Sequence, residues 1–285
     1  MKKISILGCG WLGLPLAKSL IEKGFLVNGS TTSIDKISVL RDAGINSFHI
    51  ILPLSSRAQS SDFLNIENSE IELFLENSEI LIIDIPPKLR DVSSSNSKPF
   101  VEKIQTLLPF IKKSSVKKVI FVSSTSVYSD AFPIKELSEI TVTNPETESG
   151  KQLSEVENIL LKNQNFETII LRFGGLIGED RNPIKFLSGR KNIENPDAPI
   201  NLIHQKDCIG IIDEIIHNEN NNLIWNQIYN AVYPYHPSRK EYYTQKAMEQ
   251  NLALPEFDIS KLSIGKIILS TKIETLLGYE FLYPI

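Results

Sequence analysis

The sequence holds little of what would move it out of the ordinary globular class. Among its 285 residues there are only two cysteines, two methionines and two tryptophans. Cys9 and Cys208 lie far apart and neither sits in a metal-ligand spacing, so neither a disulfide framework nor a metal site is expected. Long apolar runs are missing too. No stretch approaches the roughly 18 residues that span a bilayer, which argues against a membrane protein. Charge of one sign does not dominate: 30 Lys plus Arg face 34 Asp plus Glu, for a net charge of -4, with no run of five like charges. A nucleic-acid partner is therefore not expected. The start, MKKISILGCGWLG, is basic and then apolar but lacks a small-residue cleavage site, so it reads as a strand, with a cytoplasmic location expected.

What is present is an alternation of strand and helix patterns in a chain that is 41% hydrophobic. Apolar runs at Ile4–Leu7, Phe25–Val27, His49–Leu52, Ile80–Ile83, Val119–Val122 and Thr168–Arg172 read as strands. Between them, stripes such as Leu16, Ala17, Leu20 and Ile21, and the segments Phe100–Lys112 and Gly150–Lys162, read as helices. Near-continuous Ile/Val/Leu strands are buried on both faces. The pattern therefore predicts an α/β fold, a doubly wound parallel sheet of Rossmann type over residues 1–174. Residues 175–285 carry shorter elements: Pro183–Leu187, a strand at Asn201–His204, a helix after Asp207, a strand at Ile228–Val232 and a helix over Ser238–Gln250. They are expected to form a smaller, interleaved substrate lobe. Ser-rich stretches at Ser55–Asp62 and Asp91–Ser97 read as exposed loops.

The most informative motif is GCGWLG, which sets Gly8, Gly10 and Gly13 between a strand and a helix. Glycines so placed give a tight turn, let backbone approach a diphosphate and let helix pack on sheet. Gly8, Gly10, Trp11, Leu12 and Gly13 are thus candidate dinucleotide-binding residues. About 20 residues on, an NAD site would place an acid to hold the ribose hydroxyls. Here the chain runs Asn28-Gly29-Ser30-Thr31-Thr32-Ser33 instead. Without a carboxylate to repel a 2′-phosphate, and with Ser30, Thr31, Thr32 and Lys36 able to hydrogen-bond one, NADP(H) is expected ahead of NAD(H). The same Ser33 would also serve as a helix N-cap.

Four later segments, IFVSSTSVY, LRFGGLIGEDRNP, NLIHQKD and IYNAVYP, together resemble the extended short-chain dehydrogenase/reductases, the nucleotide-sugar epimerase and dehydratase group. Within that group the chain looks most like the atypical bacterial YeeZ-type branch, over nearly its whole length. One departure is early: that group usually spaces its glycines GxxGxxG, and Leu7 breaks the spacing. The resemblance implies that Ser124 polarises a substrate oxygen, that Ser123 and the Pro86 loop lie against the cofactor, and that any activity is reduction or epimerisation of a small or nucleotide-linked substrate. It also exposes a gap. Laying SGKQLSEVE on the family's Tyr-Gly-x-x-Lys helix puts Ser149 at the catalytic tyrosine and Leu153 at the lysine, with Glu157 matching the family's glutamate. Ser149 cannot ionise usefully and Leu153 cannot donate. Lys151 lies about 200 degrees around the helix from Leu153. The literal Tyr-x-x-x-Lys at Tyr242 and Lys246 falls too late in the chain for that role.

Tyr128 is then the candidate surrogate acid, with structural packing as its alternative. Arg181 and His204, the latter beside Asp207, are candidate substrate contacts, against surface solvation and a strand-end histidine near a helix cap. A non-catalytic NAD(P)-binding sensor or interaction protein is the competing functional class, and a homodimer is compatible with the resemblance. The first 45 residues also resemble the β-hydroxyacid dehydrogenases, which continue into an all-helical domain.

Overall fold

The computed structural model describes residues 1–53, 69–87, 89 and 97–285. Most of both Ser-rich stretches lies outside the described residues. The chain divides into two compact units. The first comprises Met1–Ser123, Thr147–Leu171 and Ile216–Ile228, and the second Ser124–Glu146, Arg172–Ile215 and Tyr229–Ile285.

The first unit is built on a seven-stranded sheet in the order β10-β7-β5-β4-β1-β2-β3. Its strands are β1 (Lys3–Leu7), β2 (Leu26–Thr31), β3 (Asn46–His49), β4 (Ser78–Ile83), β5 (Lys118–Ser124), β7 (Glu167–Phe173) and β10 (Gln227–Ala231). The described ladders from β3 through β2, β1 and β4 to β5 are all parallel. Strands buried on both faces account for the apolar runs, Ile4, Ile6, Ile80, Leu81, Ile82 and Ile83 all being buried.

Two boundaries differ from the sequence reading. The third strand pairs over Asn46–His49 rather than His49–Leu52, because Asn28↔Asn46 to Thr31↔His49 register β3 on β2. Polar residues hide this strand from a hydrophobicity pattern, and side-chain hydrogen bonds help to hold it. The Asn46 amide donates to Asn28 Oδ1 at 2.9 Å, and Asn28 donates to the Phe74 carbonyl at 2.7 Å. The strand near Ile228, read as part of the later lobe, is β10 at the edge of the main sheet.

Helices α1 (Gly13–Glu22), α2 (Lys36–Asp42), α3 (Pro99–Lys113) and α4 (Glu148–Leu161) belong to this unit, as does a helical stretch over 69–75. Helix α3 turns Phe100, Val101, Ile104, Leu107 and Ile111 inward at helical spacing, while its internal Pro109 sits on the exposed side. A missing N–H there removes one hydrogen bond of the helix without burying an orphan group. The Phe100 amide at the start of α3 donates to Gln152 Oε1 of α4 at 2.9 Å, so a buried side chain of one helix caps the other. The sequence reading of Ser33 as N-cap is not what forms: α2 starts later, after Asp35, and the Ser33 amide instead donates to Thr31 Oγ1 at 3.2 Å.

The second unit mixes short strands and helices. Strands β6 (Lys135–Leu137) and β11 (Lys266–Ile268) pair in parallel, as do β8 (Gly175–Ile177) and β9 (Leu202–His204). Helices α5 (Ile184–Leu187), α6 (Gln205–His217) and α7 (Arg239–Glu249) accompany them, the last opened by a capping box between Ser238 and Glu241. Ile177, Ile184, Leu187, Leu202, Tyr242, Tyr243 and Ala247 form one core cluster. Strands recurring after residue 170 rule out the all-helical continuation of a β-hydroxyacid dehydrogenase. Tyr242 and Tyr243 pack edge to face at 5.1 Å, so the tyrosine of the literal Tyr-x-x-x-Lys belongs to this core, while Lys246 pairs with Glu249 at 3.2 Å. Among the described residues no helix is long and apolar enough to cross a membrane, and no group of three His, Cys, Asp or Glu could hold a metal ion.

Candidate functional site

The glycine turn that ends β1 is shaped by what it lacks. Gly8 has φ +107°, a region that side-chained residues rarely adopt, and a Cβ there would lie 2.3 Å from the Asp84 carbonyl oxygen. A Cβ on Gly13 would fall 2.2 Å from the Gly8 carbonyl oxygen. Gly10 differs from both, because its missing side chain would meet nothing within 4 Å. The outer glycines are thus required by the protein's own packing, and the middle one leaves backbone open to a ligand. Leu12, at the N-cap of α1, makes no side-chain cap hydrogen bond. A helix start whose own N-cap residue supplies no side-chain acceptor, reached through open glycine backbone, suits an anion.

The turn is tied down from β2. The Gly8 amide donates to Ser30 Oγ at 3.0 Å and the Cys9 amide to the Ser30 carbonyl at 2.7 Å. Ser30 is therefore buried and serves first to hold the loop. Beside it a cleft of about 250 Å³ opens, lined by Gly8, Cys9 and Gly10, by Ser30, Thr31, Thr32 and Lys36, by Ile50 and Leu52, by Asp84, Ile85 and Pro86, and by Lys103. Thr32, Lys36 and Pro86 are exposed there, and Trp11 is half-buried. Ile50, Leu52 and Ile85 give it an apolar wall of the kind that flat ring systems use.

Several of these residues escaped the sequence reading. Lys103 comes from α3, and nothing local marks it. Cys9 lies inside the glycine motif, where burial, with the nearby Asp84 carboxyl adding to it, pushes its thiol up to about 12 and keeps it protonated. Asp84 follows β4 in the stretch IDIPP, and burial raises its carboxyl to about 8 against the opposing pull of the Gly13 amide.

Further along this unit, Ser123 at the end of β5 is buried and donates to Glu157 Oε1 at 2.5 Å. The helix that resembles the family's catalytic one, α4, starts at Thr147, whose hydroxyl accepts from the Gly150 amide at 3.1 Å. On it Leu153, Val156 and Leu160 are buried as an apolar stripe, Ser149 is half-buried and Lys151 is exposed.

In the second unit, Ser124 Oγ accepts from the Ser126 amide at 3.2 Å and starts a short turn leading to Tyr128. Tyr128 is buried and its hydroxyl is heavily engaged. It accepts from Arg172 Nη1 at 2.6 Å and lies within donor reach of Asn230 Oδ1 at 3.0 Å and the Ser138 carbonyl at 3.1 Å. The Arg172 guanidinium also lies 5.0 Å from the centre of its ring. Burial raises the phenol above its ordinary value, with Arg172 opposing, so the proton stays on oxygen.

His204 stacks on Tyr283 at 5.2 Å, and its Nδ1 accepts from the Lys206 amide at 3.2 Å, which places the ring proton on Nε2. Burial lowers its basicity, with Asp207 opposing. Asp207 itself is fully buried and takes hydrogen bonds from Tyr279 Oη at 2.9 Å, the Leu282 amide at 2.9 Å and the Tyr283 amide at 3.1 Å. It holds the C-terminal segment. Arg181 is exposed, in a tight backbone bridge to Gly178.

No family model matches the sequence. A whole-chain relative does. Protein YeeZ of Escherichia coli is 33% identical over 285 residues, covering 100% of this chain and 97% of the relative. The chain belongs to the YeeZ-type branch of the extended short-chain dehydrogenase/reductases. A UDP-glucose 4-epimerase of Dictyostelium discoideum is 29% identical over 200 residues, 61% of this chain and 54% of its own length. Among solved structures, UDP-glucuronic acid 4-epimerase from Bacillus cereus in complex with NAD superposes with TM-score 0.76 at 17% identity, covering 99% of this chain and 92% of the other. A short-chain dehydrogenase/reductase superfamily protein from Agrobacterium tumefaciens with bound NAD gives TM-score 0.74 at 13% identity, with 99% and 93% covered. At such identities these two structures establish the fold.

Proposed function

We propose that the protein binds a nicotinamide dinucleotide in the first unit, NADP(H) ahead of NAD(H), and acts as an oxidoreductase or epimerase on a small or nucleotide-linked substrate. The observation that carries the reading is the contrast within the cradle, where Gly8 and Gly13 are closed against the protein while Gly10 faces open space. The turn from Gly10 through Trp11 and Leu12 to Gly13 suits a diphosphate, Ile50, Leu52, Ile85 and Pro86 suit an adenine, and Ser123 marks the nicotinamide side. A nicotinamide dinucleotide held by these residues would supply or accept a hydride. The structures of two fold neighbours, from Bacillus cereus and Agrobacterium tumefaciens, contain NAD, which supports the class of ligand.

The preference for NADP(H) rests on the end of β2. Among the described residues at that end of the cleft, Thr31, Thr32 and Lys36 line it and no carboxylate does. Hydroxyls and an ammonium favour a 2′-phosphate that a carboxylate would repel. Parallel calorimetric titration with NADPH and NADH tests both halves. Saturable binding with NADPH the tighter is expected, and failure of both nucleotides to bind would remove the reading.

On the reaction side, Ser124 is assigned to polarise the substrate oxygen, and Arg181 and His204 to recognise the substrate. Tyr128 as surrogate acid has to surrender the hydrogen bonds to Arg172 and Asn230 before it can act, so an anchoring role for it agrees better with the geometry. A second reading, a cofactor-binding sensor without turnover, is favoured by one observation: Leu153 is packed into the core where the related enzymes place a lysine. Consumption of NADPH over a panel of carbonyl substrates separates the two, and none would be consumed by a sensor.

A further inference from the structure

A carboxyl group stands in the cleft assigned to the diphosphate-bearing cofactor, which is an unexpected place for one. Asp84 is held there on several sides. Its amide donates to the Leu7 carbonyl at 2.9 Å, continuing the β4–β1 ladder. Its own carbonyl oxygen packs so closely under the glycine turn that a Cβ on Gly8 would come within 2.3 Å of it. Its carboxyl accepts from the Gly13 amide at the first turn of α1, and Oδ2 would be 3.2 Å from a Cβ on Gly13. Backbone so fixed cannot carry the side chain away when an anion arrives. Two like charges at such a site oppose each other strongly, and the cheapest relief is a proton on the carboxyl.

We propose, resting on the cofactor reading above, that Asp84 carries a proton whenever a diphosphate occupies the glycine cradle, so that cofactor binding takes up a proton and weakens in alkaline solution. Among the described residues that line the cleft, Asp84 is the group left to titrate. From the glycine loop comes Cys9, whose thiol stays protonated. From β2 come the neutral Ser30 and Thr31, from α2 Lys36 and from α3 Lys103. Burial raises the Asp84 carboxyl and the Gly13 amide is the counterweight. The sign is that of a buried acid: with a folded value of about 8, the carboxyl is neutral at pH 6 to 7 and ionised above.

The test uses the full chain and both NADPH and NADH from pH 7 to 9.5, above the range where the 2′-phosphate of NADPH titrates. Linkage through one such group predicts Kd rising about tenfold from pH 7 to pH 9 for both nucleotides. It also predicts binding heats at pH 8 that differ between buffers of unlike ionisation enthalpy, reporting proton uptake. In Asp84→Asn the Kd should be level with pH and the buffer dependence lost. Carbon NMR of the aspartate carboxyls in the nucleotide-free wild type follows the same proton without any variant, and a resonance titrating near pH 8 is expected. Level wild-type Kd values with no buffer-dependent heat, or an Asn variant that keeps the wild-type pH profile, would overturn the proposal while leaving the cofactor reading intact. Absence of binding for both nucleotides at every pH would overturn the cofactor reading, and this proposal with it.

Discussion

The glycine cradle of the first unit and the polar network around Tyr128 in the second solve opposite problems. In the cradle, function depends on atoms that are absent: two glycines vacate space for the protein's own backbone and a third vacates it for something else. Around Tyr128, function depends on atoms that are matched, a phenol, a guanidinium, an amide and a backbone carbonyl having found one another away from water. A vacated site is shaped to receive. A matched one is shaped to hold still, because each buried polar group costs about 1 to 3 kcal/mol if its partner is removed.

That contrast can be broken, beginning where the effect should be largest. Gly10→Val should leave the thermal midpoint near the wild-type value and weaken nucleotide binding about a hundredfold or more, since its side chain would point into open space. Gly8→Val should instead lower the midpoint by about 10 °C, because strain at φ +107° and collision with Asp84 act on the fold itself. Melting curves beside titrations separate the two, and similar behaviour of both variants would dissolve the distinction between outer and middle glycines.

Arg172→Met should destabilise the protein by about 2 to 4 kcal/mol in denaturant unfolding, removing a buried donor that both bonds Tyr128 and lies over its ring. Lys36→Ala should weaken NADPH about tenfold, some 1.4 kcal/mol, and change NADH less than twofold. Tyr128→Phe should cost about 1 to 2 kcal/mol of stability and less than tenfold in any turnover; a loss of a thousandfold would make it the acid after all.

The last effect concerns pH. An aspartate with an unfolded value near 3.9 and a folded value of about 8 contributes stability in full below about pH 4 and loses it progressively up to about pH 8. The nucleotide-free protein should therefore be a few degrees less thermostable at pH 8.5 than at pH 5 on this account, and Asp84→Asn should remove that part of the difference.

The first unit was the more legible of the two. Buried parallel strands advertise themselves as apolar runs, and the GCGWLG turn carries its three glycines within six positions, so both cradle and sheet could be located by inspection. Strand β3 was misplaced because three of its four residues are polar and it is held in part by a relay from Asn46 through Asn28 to Phe74, the second bond made across 46 positions of sequence. The edge strand β10 was found in the sequence but grouped with the later elements, whereas it joins the main sheet, because sheet order is a matter of neighbours in space. Tyr128 could be singled out by motif, yet its engagement with Arg172 and Asn230, 44 and 102 positions away, could not.

By itself the sequence determined that this chain would form a doubly wound sheet with a glycine-lined opening, because strand burial, helical spacing and the need for absent side chains are all written locally. Only the tertiary structure decided which glycine is open and which closed, placed Lys103 and the Asp84 carboxyl in the same cleft, and bound the Tyr128 hydroxyl to partners from distant segments. Those outcomes depend on desolvation and on pairs that the fold alone brings within hydrogen-bonding distance.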